Sequence, residues 1–288
     1  MASEQTVAGF KLINLMMTGQ TSQVWEVVEP GSFRHLAMKL LLPEHMKSES
    51  HRKFLYHEAE VGLSIHHPNV IRILKLERSK ANPYILMEFF PGGNLKMRLT
   101  RKHDIVREKT HSIILQAARG LASINDKGWV HRDVKPDNIL LNSAGEVRVI
   151  DFALAQRIHR GEKWFTFFRK KSTTSGTRSY MSPEQILNRN LDERADVYSF
   201  GATIYEVVTG KPPFRGSSPN DLLTKHLRDV PLAPRVANPE VTDAMSDLIY
   251  RMLSKDKKDR PKDMHEFCAL FRNILVFKGD KQESSSRE

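Results

Sequence analysis

Through roughly the first third of the chain the apolar positions alternate or form short blocks, the pattern of β-strands. Phe10 to Leu15 alternates and runs into Met16-Met17-Thr18-Gly19-Gln20-Thr21-Ser22-Gln23-Val24-Trp25. Leu36-Ala37-Met38-Lys39-Leu40-Leu41 reads as another strand, with a lysine set inside an apolar run. From Glu49 to Ile65 the period changes, and Phe54, Glu58, Val61 and Ile65 fall on one face of a helix. Glu58 thus lies on the stripe that turns inward, while Glu60 lies off it, in solvent. A buried carboxylate needs a partner or must be neutral, and Lys39 is the partner at hand. His66-His67-Pro68-Asn69 ends the helix in a turn. Without further ligands at metal-site spacing, the paired histidines carry no metal reading. Two strands follow, and Tyr84-Ile85-Leu86-Met87-Glu88-Phe89-Phe90-Pro91-Gly92-Gly93 reads as a strand and then a break.

Beyond that break the pattern turns helical. Glu108 to about Asn125 is amphipathic, with Ile113, Ile114, Ala117, Ala118 and Leu121 as core positions. Asp196 opens an apolar helix that ends at Gly210, a suitable C-cap, and a last helix covers about 262–275. Between them, Ile139–Leu141 and Val147–Ile150 flank a polar, glycine-containing stretch, the signature of a β-hairpin. In a hairpin centred near Ala144, Asn138 entering the first strand lies across from Asp151 leaving the second. Asp133 and Lys135 sit in the loop just ahead. Two carboxylates, an amide and an ammonium are thereby brought into one small volume. Such oxygen ligands suit a hard cation, Mg²⁺, that also holds phosphates.

Val130-His131-Arg132-Asp133-Val134-Lys135-Pro136-Asp137-Asn138, followed by Asp151-Phe152-Ala153, resembles the catalytic loop and metal-binding segment of protein kinases. The closest resemblance is to the eukaryote-like (Hanks-type) serine/threonine protein kinases of bacteria, and it runs from about Phe10 to about Leu275. It implies an α+β, two-lobed fold: a small β-rich N-lobe with one key helix (10–90) and a larger, mainly helical C-lobe (91–275). Residues 1–9 are expected as a disordered lead and 276–288 as a disordered polar tail. The implied activity is transfer of the γ-phosphoryl of ATP to protein Ser/Thr hydroxyls, with autophosphorylation in the activation loop. In that scheme Asp133 and Lys135 are catalytic, and Asn138 and Asp151 hold Mg²⁺. Lys39, oriented by Glu58, reaches the ATP phosphates. Met17, Gly19 and Val24 belong to the phosphate-covering loop and roof. Met87 gates the adenine pocket, whose base faces the Glu88–Phe90 backbone. Asp196 braces the catalytic loop, and Arg260 pairs with Glu184.

Two departures bear on activity. The glycine positions of the phosphate loop read Met17, Gly19 and Ser22, so one glycine remains where three let backbone N–H groups approach phosphate. Ala153 stands where a glycine usually follows the Asp-Phe pair, which narrows the backbone freedom of that segment. These departures support a competing reading, a pseudokinase-like scaffold that binds nucleotide with weak or no catalysis. A small-molecule phosphotransferase of similar fold is a third reading; the Arg132-bearing loop and Ser182-Pro183-Glu184 argue against it.

Composition adjusts this picture little. The 288 residues are 40% hydrophobic, enough for a substantial core. A single cysteine, Cys268, in the apolar run Phe267-Cys268-Ala269-Leu270, reads as core filler and suits a reducing, cytoplasmic setting. No apolar run approaches the ~18 residues of a membrane span. The net charge of +11 suits acidic protein partners, or is a solvated basic surface; no nucleic-acid-binding module is visible. Much of the positive charge falls in a basic, aromatic loop over 154–182, which also carries Thr173 and Thr174. These threonines are expected phosphosites, with Arg132 as the reader of the phosphate.

Overall fold

A computed structural model describes residues 6–79, 81–101, 104–158 and 177–281. The strand-patterned first third forms β1 (Thr6–Val7), β2 (Phe10–Thr18), β3 (Ser22–Val28), β4 (His35–Leu41), β5 (Ile73–Glu77) and β6 (Tyr84–Glu88), with α1 (Glu49–Leu63) between β4 and β5. They make one six-stranded antiparallel sheet in the order β1-β2-β3-β4-β6-β5. Alternation divides its residues between two faces. Val27, Leu36, Met38, Leu40, Tyr84 and Leu86 pack into a core of their own. The opposite face carries Lys39, with Val24 and Ile85 directly across from it in the register.

Against that second face packs α1, with Leu55, Ala59 and Val61 buried in the main core. Its approach is close because Gly62 has no side chain. A Cβ there would lie 2.3 Å from Cδ1 of Ile73 and 3.1 Å from Cδ2 of Phe152. The helix therefore sits hard against β5 and the Asp151-Phe152 segment, with Glu58 on its buried side.

The chain crosses into the second lobe through Gly92, whose φ of +155° and closeness to the Leu141 carbonyl (2.5 Å from a notional Cβ) leave no room for a side chain. A second junction lies at Asn69, whose carbonyl accepts from the Val149 N–H and whose Nδ2 reaches Gln116 and the Val147 carbonyl. The C-lobe comprises β7 (Gly93–Asn94), α2 (Leu95–Thr100), α3 (Asp104–Glu108), α4 (Thr110–Asp126), β8 (Trp129–Val130), β9 (Ile139–Leu141), β10 (Val147–Val149) and β11 (Gln156–Arg157). Helices α5 (Pro183–Ile186), α6 (Arg194–Thr209), α7 (Pro219–Arg228), α8 (Pro234–Ala237), α9 (Asp243–Met252) and α10 (Met264–Phe271) complete it. From Ala195 to Glu206 every residue of α6 is buried, so this helix is the scaffold of the lobe. It ends at Gly210 in the left-handed conformation, φ +77°.

The two-lobed α+β expectation holds, but both of its outer boundaries need correction. Thr6 and Val7 are no disordered lead: they pair with Lys11 and Phe10, turning through Ala8 and Gly9 at positive φ. The expected tail also begins too early. Val276 and Phe277 are buried, Phe277 bridges to Val241, and Arg107 lies 3.7 Å over the Phe277 ring while pairing with Asp280. The last helix stops at Phe271, and beyond it the chain packs as an irregular segment through Val276 and Phe277.

Candidate active site

Strand register gathers the expected nucleotide-facing residues. Met17 pairs with Val24, Val24 with Lys39, and Lys39 with Ile85; two residues along, Ala37 pairs with Met87. All six therefore share one face of the sheet. Ala37 was missed in the sequence reading, although its position two residues before Lys39 signals it. Met17 remains 42% exposed at the open end of the sheet. The Gly19 N–H donates to the Ser22 carbonyl at 2.8 Å, which closes the β2–β3 turn on itself.

Behind this roof, Lys39 Nζ bonds both Glu58 carboxylate oxygens at 2.6 Å and lies 3.8 Å from Asp151 Oδ1. Burial alone would lower the Lys39 ammonium's pKa; the facing carboxylates of Glu58 and Asp151 outweigh it and hold the group above its ordinary value. Burial would likewise raise Asp151. Lys39, His131, the Ala153 N–H and Lys135 overcome that and keep its carboxyl below the usual range, hence ionised.

The floor is the loop before β9, and Asp196 at the start of α6 organises it. Its Oδ2 accepts from the His131 N–H (2.8 Å) and from Asn125 Nδ2 (3.0 Å), and its Oδ1 from the Arg132 N–H (3.0 Å). Arg132 takes φ +68° and Asp151 φ +69°, a region that non-glycine residues avoid. Such backbone costs about 1–3 kcal/mol per residue and persists where its surroundings dictate it. Here those surroundings include the buried Asp196 carboxylate and the bond from Ala153 N–H to Asp151 Oδ1. Ala153 itself has no positive φ, so the alanine sits in this conformation without strain.

Asp133 is buried and differently treated at its two oxygens. Oδ2 accepts from Lys135 Nζ (2.8 Å) and Asn138 Nδ2 (3.0 Å), while Oδ1 has no partner among the described residues. Asn138 Nδ2 also donates to the Asp133 carbonyl, and its own carbonyl accepts from the Ile150 N–H. The hairpin register, Ile139 opposite Val149, brings Asn138 and Asp151 to the same open end, as its sequence pattern indicates.

At the edge of the cleft, the Glu88 N–H is taken by the Arg72 carbonyl, and its carboxylate accepts from the Arg72 N–H and Arg148 Nε. The Phe90 ring is buried beneath the Arg148 guanidinium, so its backbone is the part left to meet a ligand. Arg132 is largely enclosed, and that burial lowers its guanidinium's pKa. Its Nη1 makes one long bond to the Leu154 carbonyl, 3.5 Å, and its Nε has no partner among the described residues. Thr173 and Thr174 lie outside the described residues.

Further into the C-lobe, all five Arg260 donors are used: Nη1 and Nη2 on the Glu184 carboxylate at 2.7 and 3.0 Å, the rest on the carbonyls of Arg194, Ser254 and Lys255. The sequence reading missed a second buried cluster there. Glu206 of α6 holds both the Tyr180 hydroxyl, at 2.5 Å, and Lys96 of α2.

Comparison with known proteins finds a matching family and several relatives. The sequence model of the protein kinase domain matches residues 10–270. A probable serine/threonine-protein kinase of Streptomyces coelicolor is 30% identical over 261 residues, 89% of this chain and 38% of that protein. Another, from Clostridium perfringens, is 31% identical over 92% of this chain and 38% of its own length. The serine/threonine-protein kinase PknB of Mycobacterium tuberculosis is 28% identical over 96% of this chain and 44% of its own. The chain thus spans about two fifths of the length of these relatives.

Proposed function

The chain belongs to the protein kinase family, and we propose that it transfers the γ-phosphoryl group of ATP to Ser/Thr hydroxyls of proteins, its own activation loop included. The observation that carries this reading is the split environment of Asp133. One oxygen is fixed by Lys135 and Asn138, and the other is buried without a partner among the described residues. A buried unpaired carboxylate oxygen is costly, and a substrate hydroxyl is the group that would satisfy it.

In this mechanism Asp133 Oδ1 accepts the hydroxyl proton as the substrate oxygen bonds to the γ-phosphorus, and ADP leaves with the electrons of the broken P–O bond. Lys135 offsets negative charge on the transferring group. Lys39, kept charged and oriented by Glu58, steadies the α- and β-phosphates beneath Val24, Ala37 and Met87. Such chemistry rests on positioning and electrostatics more than on covalent help.

The donors suit Mg²⁺. Asp151 is ionised, and Asn138 has its Nδ2 committed to Asp133, leaving the amide oxygen to face a cation. Asn138 and Asp151 would hold Mg²⁺, which would supply positive charge to offset that of the phosphates. Autophosphorylation at Thr173 or Thr174 is supported by Arg132, whose enclosed guanidinium makes one long bond to a carbonyl and leaves Nε without a partner among the described residues, Asp196 and Asp133 acting on it through their charge. We also place the chain in the cytoplasm, where ATP and a reducing environment suit it. No helix among the described residues is long and apolar enough to cross a membrane.

The test is incorporation of labelled phosphate from ATP by wild type and Asp133→Asn, with phosphopeptide mapping. Mg²⁺-dependent label on serine or threonine in the wild type alone supports the kinase. Equal ATP binding by both proteins with no incorporation by either would favour the scaffold, to which Met17, Ser22 and the closed Gly19 turn lend support.

A further inference from the structure

On the reverse side of the strand that leads out of the nucleotide cleft is a pocket of about 360 Å³ lined by Ile65, His66, His67, Pro68, Val70, Arg72, Glu88 and Arg148. Met87 shares the Lys39 face, so alternation turns Glu88 the other way, into this pocket. The pocket is rich in donors and poor in acceptors. The Arg72 guanidinium makes no hydrogen bond or ion pair among the described residues; only its backbone is engaged. Arg148 uses Nε on Glu88 and Nη1 on the Val147 carbonyl, which leaves Nη2. The Asn69 N–H donates to His67 Nδ1, so even the neutral His67 ring carries its proton on Nε2. The one acid lining the pocket, Glu88, is already bound by Arg148 and the Arg72 N–H. Independently, burial and the nearby Arg119 and Arg148 charges depress the His67 pKa, with Asp126 only partly opposing them.

The geometry points to this pocket as a binding site for a phosphoryl group, held by Arg72, Arg148 and His67. Tetrahedral, multiply charged oxygens match two guanidinium groups and an imidazole N–H better than a single carboxylate does. The volume exceeds that of free phosphate and admits a phosphorylated side chain as well. The site has a route to the nucleotide. A phosphoryl group competes with the Glu88 carboxylate for Arg148, and Glu88 belongs to the stretch whose backbone meets the adenine. That last link rests on the kinase reading; the binding itself does not.

The experiment uses the full chain at constant ionic strength, with chloride as the comparison ion. Binding of inorganic phosphate, of a phosphoserine peptide and of its unphosphorylated twin is measured by calorimetry for wild type, Asp133→Asn, Arg72→Gln and Arg148→Gln. Wild type and Asp133→Asn should bind alike, whereas Arg72→Gln and Arg148→Gln should weaken binding by about tenfold. Arg72 is exposed, so Arg72→Gln keeps the test decisive if Arg148→Gln fails to fold. A phosphopeptide at least about tenfold tighter than phosphate identifies a protein source, and equal affinity a free phosphate source. Unchanged affinity in Arg72→Gln, or no binding of either probe to wild type, overturns the site. A wild type that binds phosphate here but incorporates no label from ATP would sink the catalytic reading and spare this one.

Discussion

Below the cleft, His131 and Arg132 give their backbone N–H groups to a fully buried Asp196, and Asn138 clasps Asp133 at both its carbonyl and its carboxylate. Above it, the β2–β3 turn closes on one bond from Gly19 to Ser22, and Leu15, Met16 and Met17 lie 40–46% exposed. The floor is preorganised at the expense of two residues in left-handed backbone. The roof is shaped by little beyond strand pairing, so it can adjust around a nucleotide. The backbone that carries Asp133 is therefore tied to α6 through Asp196, while the β2–β3 turn is left with few ties.

The severest break is at the floor itself. Asp133→Asn should lower kcat by about 10²–10⁴-fold, the usual worth of a positioned acid–base group, with ATP affinity nearly unchanged. An equal loss of ATP binding would show that Asp133 shapes the nucleotide site instead. Next comes the anchoring beneath the floor. Glu184→Ala leaves Arg260 charged, buried and unpaired, a loss of about 3–5 kcal/mol. Urea unfolding should register it, whereas Glu60→Ala, at an exposed ion pair with Arg78, should cost under ~1 kcal/mol. Similar losses for both would deny the special status of the buried pair.

Acid should then weaken the lower lobe through His226. It is fully buried beside Tyr198, and desolvation first, then the Lys255 charge, pull its pKa down to about 3. The unfolded imidazole protonates near its ordinary value of 6.5. Between those values the unfolded state binds the extra proton, so stability falls as pH drops, by up to about 1.4 kcal/mol per pH unit. His226→Gln should flatten that part of the stability–pH curve. The same slope in the variant would assign it to other groups.

The gentlest change is to the roof. Met17→Gly/Ser22→Gly should tighten ATP binding through shorter N–H to phosphate contacts, worth about 1.5–3 kcal/mol gross for a charged acceptor. Added chain entropy offsets about 0.5–1 kcal/mol per glycine. Calorimetry giving unchanged or weaker binding would mean that the roof is not held back by its missing glycines.

Much of the site was legible because its parts are local. The hairpin pattern alone brings Asn138 to Asp151, and helical period alone turns Glu58 inward towards Lys39; both placements recur in the structure. The pairing of Arg260 with Glu184 came from family resemblance, and the geometry adds why it suits burial: every donor finds an acceptor. Ala37 escaped notice although alternation placed it, since nothing in its chemistry draws attention.

What the sequence determined by itself is the succession of strands and helices and the grouping of charges a few residues apart, because period and turn chemistry act over such distances. Tertiary structure decided the rest. It drew Thr6–Val7 and Val276–Phe277 into the fold, since the partners that order them are a strand edge and a buried surface built by other segments. It set Arg132 in left-handed backbone under the command of Asp196, some sixty residues away along the chain, and Asp151 in the same conformation beside Lys39. It also closed the cationic pocket behind Glu88 from three separate stretches. Burial and electrostatic focusing depend on what meets in space, and one-dimensional pattern carries no record of that.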